Sequence, residues 1–536
     1  MLNYFNLSKR RIVITMIVSF LLTMMTVFGY QIEHYSELVF NISVLGIVFS
    51  LFIIIAIVLL GIYKLFDKAA SASDGCKSVK TVKEWKVFVI TGICLLVIYG
   101  IQFLGVYPGL FVFDASWQYW MYRDNEISEH HPVFHTVLLG FIVSTVFKNS
   151  GAINHGAAAY IIFQMLICIV CIAYFITFVY SKLKRISSLI LMIVFFGLYP
   201  PIVLQVLSAT KDTLFFVFIL LLIALTLELV ENSETFFKKP LKMVLWIMAT
   251  VLVIILRNNC IYAIPFFILA VFGVMRKKKL LVGTMLMGVF VLFMLYRVFV
   301  VAPFVTVEVD GREMYSVPAQ QLMRIYNSEA SDITGTEREV IDRLFIKDEK
   351  ENYHPKIADL AKGNLDMVYY RENSSLVNKT YLGLVMKNFK MSVESFLENT
   401  CGFWYPGCEL TMYKDGKTGY WVVGCYDPVI SNPKIQIIFD FYKLFEDSDF
   451  VTKNPITSLL FSPGTFFYIF VIMFAYAIDR KKTRYMPIFV FMLALWLTYL
   501  LGPVALVRYI MYFYAIIPLY YVMIREPKME EKNLSN

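Results

Sequence analysis

Asp114 lies in the run Tyr107-Pro108-Gly109-Leu110-Phe111-Val112-Phe113-Asp114-Ala115-Ser116-Trp117-Gln118, directly after an apolar stretch. A second run, Glu129-His130-His131-Pro132-Val133-Phe134-His135-Thr136, follows it and holds half of the chain's 6 histidines. Ionisable groups beside apolar helices are costly to place, and where they gather they usually line a substrate path or a cleft. An aspartate there can take the proton of an attacking hydroxyl. Lys211, Arg257, Arg324 and Arg508 can hold phosphate oxygens, arginine through its planar donor fork and lysine as a compact charge. Gln118, Asn258, Gln321 and Tyr509 are the polar neighbours that would complete such a site. His131 and His135 fall on one helix face, a spacing that suits zinc as well as a hydrogen bond to phosphate or sugar. No glutamate sits between them as in HExxH, and Pro132 suits a helix start better than a metal site. Each residue also has a structural alternative: Asp114 as a helix N-cap, the lysines and arginines as interfacial side chains reaching toward headgroups, the histidines as interfacial packing.

The elements that must position these groups are membrane helices. Of 536 residues, 59% are hydrophobic and 16% aromatic, while only 17% are charged; a soluble domain is about 45–50% apolar. The apolar runs do not alternate with polar residues, which excludes a β-barrel. The expected fold class is an all-α polytopic membrane protein of about twelve transmembrane helices, a crossing needing about 20 residues. The spans are expected at 12–30, 39–63, 87–106, 157–180, 186–206, 213–230, 241–256, 260–275, 280–303, 456–478, 485–502 and 505–524. Basic groups at Lys9–Arg11, between Lys64 and Lys86, at Lys182–Arg185, Lys238-Lys239, Arg276–Lys279, Arg480–Lys482 and from Arg525 flank these runs as cytoplasmic loops do. The net charge of +9 is therefore topological and implies no nucleic-acid partner. Counting 133–147 as a span would throw the later basic clusters to the outside, so it is expected to be a juxtamembrane or re-entrant helix. Both termini are then cytoplasmic. The Asp114, Lys211, Arg257 and Arg508 regions share the outer face with the long polar segment 304–453.

Four regions result: 1–86, two helices and a cytoplasmic loop; 87–303, a transmembrane core carrying the outer loop 107–156; 304–455, a mixed α/β extracytoplasmic insertion; and 456–536, the last helices and a tail. Within the insertion the stretch from Gln320 to Arg343 reads as helical and Met412–Asp427 as a hairpin. Mixed charge at Lys347-Asp348-Glu349-Lys350-Glu351 marks it as solvated. Trp404, Tyr405 and Trp421 are aromatic rings in a polar setting, suited to gripping a sugar acceptor. Trp117, Tyr119, Trp120 and Tyr122 read as interfacial anchors. The chain has 8 cysteines; those in apolar helices are packing residues. Among Cys401, Cys408 and Cys425 one pair could be oxidised, with the pairing open.

Taken together, Tyr107-Pro-Gly with Asp114 and Gln118, His131-Pro132 with Thr136, Thr210-Lys211-Asp212, Leu256-Arg257-Asn258, Pro318-Ala-Gln320-Gln321 with Arg324, and Arg508-Tyr509 near Pro518 resemble the GT-C superfamily of membrane glycosyltransferases, from 87 to 524. The closest likeness is to poorly characterised Gram-positive members, and the first two helices look like an addition. The resemblance implies an outward-facing enzyme that takes a sugar from an undecaprenyl-phosphate donor in the lipid bilayer and moves it to a cell-envelope glycan. Asp114 would then be the catalytic base of an inverting transfer. Many such enzymes carry two adjacent acids in the first loop, whereas here Ala115 follows Asp114 and the next acids are Asp124 and Glu126. No cofactor is implied, and use of a divalent metal stays open. Two other readings stand beside this one: a transporter or flippase of lipid-linked sugar, and an envelope-polymer ligase or O-acyltransferase with His131 as base.

Overall fold

The computed structural model describes residues 8–71, 82–346, 353–410, 421–446, 450–451 and 454–526. Among them there is no strand, only isolated bridges such as Leu110 with Ser208. The chain is an all-α bundle of the polytopic membrane class. The insertion is helical in its described part, not mixed α/β, and the hairpin expected at Met412–Asp427 has no strand over 421–427. Its remainder, 412–420, and the charge run at 347–351 lie outside the described residues.

The first half of the bundle comprises α1 (Lys9–Tyr35), α2 (Ile42–Ser71), α3 (Glu84–Gly105), α4 (Phe113–Arg123), α5 (Val133–Ser150), α6 (Ile153–Leu183), α7 (Ile186–Leu198), α8 (Pro200–Val206) and α9 (Lys211–Glu231). Then come α10 (Pro240–Leu256), α11 (Ile264–Val274) and α12 (Lys279–Tyr296). The polar segment supplies α13 (Ser316–Asn327), α14 (Gly335–Leu344), α15 (Ala358–Gly363), α16 (Met367–Lys387) and α17 (Phe389–Thr400). The chain closes with α18 (Pro455–Phe461), α19 (Pro463–Asp479), α20 (Met486–Tyr499), α21 (Met511–Ala515) and α22 (Ile517–Arg525).

Among the described residues, eight helices are long and apolar enough to cross a membrane, and up to ten if each of two bent pairs makes one crossing. That is fewer than the twelve expected. The regions expected at 241–256, 260–275 and 485–502 yield helices of 17, 11 and 14 residues, whose rise of about 1.5 Å per residue falls short of the hydrocarbon thickness. Proline explains the bent pairs. α7 meets α8 at 60° just before Pro200, and α18 meets α19 at 63° just before Pro463, because a proline ring lacks the N–H and clashes with the preceding turn.

Charge gathers at the two ends of the bundle. At one end the buried Arg11 of α1 pairs with Asp67 of α2 at 2.8 Å and Asp479 of α19 at 2.6 Å. Beside it, Arg484 pairs with Glu231 of α9 at 3.4 Å, and Lys482 donates to the Glu526 carbonyl at 2.7 Å. The opposite end holds the start of α4, the start of α9, the end of α10 and the turn before α21. α5 starts at this second end, where the Phe134 amide donates to Tyr296 at 3.3 Å. α6 starts beside the polar segment, with Asn154 donating to the Ile430 carbonyl at 2.7 Å. The α5–α6 hairpin thus points away from the Arg11 end, although the 18 residues of α5 are long and apolar enough to cross.

The polar segment has its own apolar cluster, including Leu322, Ile325, Ile341, Leu344, Leu365 and Leu384. The stretch expected to be helical from Gln320 to Arg343 holds the end of α13 and most of α14, and Thr334 with Glu337 forms a capping box that starts α14. Because Arg11 is buried between two carboxylates, Arg11→Ala should cost about 3–5 kcal/mol. Thermal unfolding of the full chain in detergent micelles measures this, and an unchanged midpoint would show that the cluster does not hold α1 to α19.

Candidate functional site

The site is built by a backbone clasp. The Leu110 amide donates to the Leu207 carbonyl at 2.8 Å, and the Ala209 amide donates to the Leu110 carbonyl at 2.9 Å. These bonds fix the loop after α3 against the loop before α9 and so bring Asp114 to Lys211. Gly109 permits the approach: its φ is +108°, and a Cβ there would run into Ile161.

Asp114 accepts from Arg508 Nη1 at 2.9 Å and lies 3.4 Å from Lys211 Nζ. It does not cap its helix, whose N-cap is Val112. Burial alone would raise its pKa, but the charges of Arg508 and Lys211 outweigh that and hold the carboxyl well below the usual carboxylate range. Lys211 Nζ also lies 2.9 Å from His131 Nδ1. Burial, then the Lys211 charge, push the His131 pKa well below its ordinary value, so the ring is neutral. Its Nδ1 accepts from the ammonium, which leaves the ring proton on Nε2.

Arg508 reaches a second carboxylate, with its Nε 3.6 Å from Asp212 Oδ2. Asp212 is fully buried, and its Oδ1 accepts from Arg257 while Oδ2 has no hydrogen-bond partner. The Arg257 guanidinium stacks 4.0 Å from the Tyr509 ring and 4.6 Å from the Tyr499 ring. Three cations therefore face two carboxylates, and the cluster carries net positive charge. Asp212 and Tyr499 were not among the expected site residues. The signal for Asp212 was an acid next to Lys211 at the head of a helix apolar from Thr213 onward.

A cavity of about 190 Å³ is lined by His131 together with Ile254, Asn258, Phe293, Tyr296 and Val301. Asn258 donates to the Glu129 carbonyl at 3.1 Å, and Arg297 pairs with Glu129 at 2.8 Å on the exposed rim. Asn258 is thus at a cavity wall, beside the charged cluster.

Several expected site residues are elsewhere. Gln118 and His135 are fully buried, and their polar atoms are spent on each other and on Thr136 and Tyr160. They join α4, α5 and α6 and offer nothing to a ligand. Arg324 sits between the α1–α2 turn and α17, paired with Glu394 at 3.3 Å and Glu398 at 2.5 Å. Gln321 donates to the Ser392 carbonyl at 3.0 Å and accepts from Tyr381 at 2.6 Å. Both hold the polar segment together. Trp404 and Trp421 are buried in the main core, and Tyr405 packs against Gly29 and Gly464, so none of these rings presents a sugar-binding face.

The zinc spacing fails for the same reason as the ligand roles of His135: both its ring nitrogens are engaged, and His131 Nδ1 is on Lys211. Among the described residues, the one group of His, Cys, Asp and Glu with metal-like spacing is Glu33, Cys401 and Cys408, outside this cluster.

Residues 35–534 match the model of a family described as Family of unknown function (DUF6020), and the chain belongs to that family. The match takes in α2 and begins at the end of α1. No curated protein and no solved structure matches the chain.

Two outcomes follow from the geometry. Tyr160→Phe leaves His135 Nε2 without its donor and should cost about 1–3 kcal/mol of stability, read as a lower melting midpoint with anion binding unaltered. Asp114 has a depressed folded pKa, so its ion pairs stabilise above the ordinary carboxylate value near ~3.9 and fade as pH falls through the folded value. The melting difference between wild type and Asp114→Asn should therefore be widest at neutral pH and shrink below about pH 4; a gap independent of pH would contradict the ion-paired assignment.

Proposed function

We propose that this member of a family of unknown function is a membrane glycosyltransferase that moves one sugar from an undecaprenyl-phosphate donor to a cell-envelope glycan. The observation that carries the reading is the net-positive cluster of Lys211, Arg257 and Arg508 against Asp114 and Asp212, at one end of the bundle and beside a partly apolar cavity. Basic groups at the other end, Arg11, Lys182 and Arg484 among them, support a cytoplasmic location for that end and both termini, with the site on the outer face. α5 is then a hairpin arm on the outer side.

The chemistry follows from the ion pairs. In the resting site Asp114 is a poor base, because its negative charge is held by two cations. A phosphate entering between Lys211 and Arg508 competes for the same donors, and each contact it takes frees the carboxylate and raises its proton affinity. The acceptor oxygen attacks the anomeric carbon while the bond from that carbon to the phosphate oxygen breaks. The electron pair leaves with the phosphate, whose charge the cations stabilise, and the acceptor proton passes to Asp114. His131 Nε2–H can donate to a phosphate or sugar oxygen. Donor binding and base activation are thus one event.

The other readings fit less well. A transporter would place its charged groups mid-membrane in paired broken helices, whereas this cluster sits at a bundle end. An O-acyltransferase would need His131 as base, but its Nδ1 accepts from an ammonium and its Nε2 carries the proton.

The test compares envelope glycans of a null strain complemented with wild type, Asp114→Asn or His131→Ala at matched membrane expression. One sugar branch should vanish in the null, return with wild type and His131→Ala, and stay absent with Asp114→Asn. A null glycan identical to wild type, or full rescue by Asp114→Asn, sinks the assignment. In micelles, Lys211→Ala should weaken undecaprenyl-phosphate binding roughly tenfold or more, the loss of one charge-assisted contact.

A further inference from the structure

Cys401, Cys408 and Cys425 all lie in the polar segment, and the structure separates them. Cys401 and Cys408 are both buried, and their sulfurs lie within 4.8 Å of one another and of the Glu33 carboxylate. The backbone between them is coiled: the Trp404 and Tyr405 amides donate to the Cys401 carbonyl at 3.2 and 2.9 Å, and the Cys408 amide donates to the Tyr405 carbonyl at 3.2 Å. Successive turns so return Cys408 to Cys401. Cys425 is engaged elsewhere, its thiol 3.2 Å from the Gly109 carbonyl.

A metal fits these three groups poorly. Lys356 Nζ already lies 2.7 and 2.9 Å from the two Glu33 oxygens and donates to the Glu409 carbonyl at 3.0 Å. An ammonium at that carboxylate repels a divalent cation and takes up its lone pairs. Two adjacent thiols remain, of which Cys408 donates to the neighbouring Glu409 carbonyl at 3.5 Å.

We propose that Cys401 and Cys408 are the site of a disulfide, and that the bond fixes the turn which presents Phe403 to the charged cluster. Phe403 lies within that turn, two residues after Cys401, with its ring stacked 6.2 Å from Tyr499 and 6.5 Å from Tyr509, the two rings that hold the Arg257 guanidinium. The oxidant is a disulfide, either of a small thiol compound or of a thiol–disulfide oxidoreductase. One cysteine, having lost its proton, attacks a sulfur of that disulfide and expels one thiolate. The other cysteine then attacks the mixed disulfide and expels the second, so the Sγ–Sγ bond forms, two electrons pass to the oxidant, and the two protons end on its two thiols. Burial raises the Cys408 pKa well above its ordinary value, so closure belongs to folding or to brief opening of the turn, and the closed bond is shielded afterwards.

The test uses the full-length chain in micelles, exposed to oxidised glutathione, then denatured, alkylated and digested with trypsin. Both cysteines fall in the single peptide 391–414. That peptide should be lighter by two hydrogens and resist alkylation until reduced, while Cys425 is alkylated throughout. Reduction should also lower the melting midpoint of wild type and leave that of Cys401→Ala with Cys408→Ala where it was. Alkylation of both thiols after oxidation overturns the proposal, as does glutathione retained on either one, a bond to Cys425, or zinc retained with both thiols reduced.

Discussion

Buried charge needs counter-charge, and this molecule satisfies that need by making helices from distant parts of the chain share ions. Arg508 is the clearest instance, since it reaches Asp114 at the head of one helix and Asp212 at the head of another. Each carboxylate also has a cation of its own, Lys211 for Asp114 and Arg257 for Asp212, and Arg508 ties the two pairs into one cluster. Arg11 plays the same part at the far end with Asp67 and Asp479. In a bilayer, apolar packing between helices gives little directional preference, because lipid tails are as apolar as leucine. Ion pairs at the ends therefore supply register that the apolar faces lack.

The two ends differ in what is left over. At the Arg11 end, Arg11 pairs with Asp67 and Asp479 and Arg484 with Glu231, so that ion pairs tie the helices together. At the Asp114 end the cations outnumber the acids, a buried oxygen of Asp212 has no hydrogen-bond partner, and a cavity opens alongside. The second cluster has residual charge of one sign and room next to it, the combination expected where an anion is received.

What the sequence made legible was the set of exposed helix ends. Asp114, His131, Lys211, Arg257 and Arg508 were expected on one face from the basic clusters flanking the apolar runs, and the structure gathers these five residues at one end of the bundle. Composition likewise pointed to an all-α membrane bundle. It could not reveal where a polar side chain is spent internally. Gln118 and His135 look like site residues by type, yet satisfy each other inside the protein, and Arg324 answers two glutamates that lie far along the chain. Long-range pairing has no local signature. Helix number was overestimated for a related reason: an apolar run such as 260–275 measures hydrophobicity, whereas the helix within it is interrupted by the turn Asn258–Tyr262 and shortened to 11 residues.

The clasp between Leu110 and the 207–209 backbone carries an evolutionary consequence. Because its bonds run from main chain to main chain, substitution at Leu110, Leu207 or Ala209 by any residue but proline leaves its donors and acceptors intact, and the side chains there are free to drift so long as they still pack. Gly109 has no such freedom, since both its backbone angle and the nearness of Ile161 bar a side chain. A lineage could therefore rewrite much of this junction while keeping Asp114 at the same distance from Lys211, and a glycine in a changing loop would be the mark that survives.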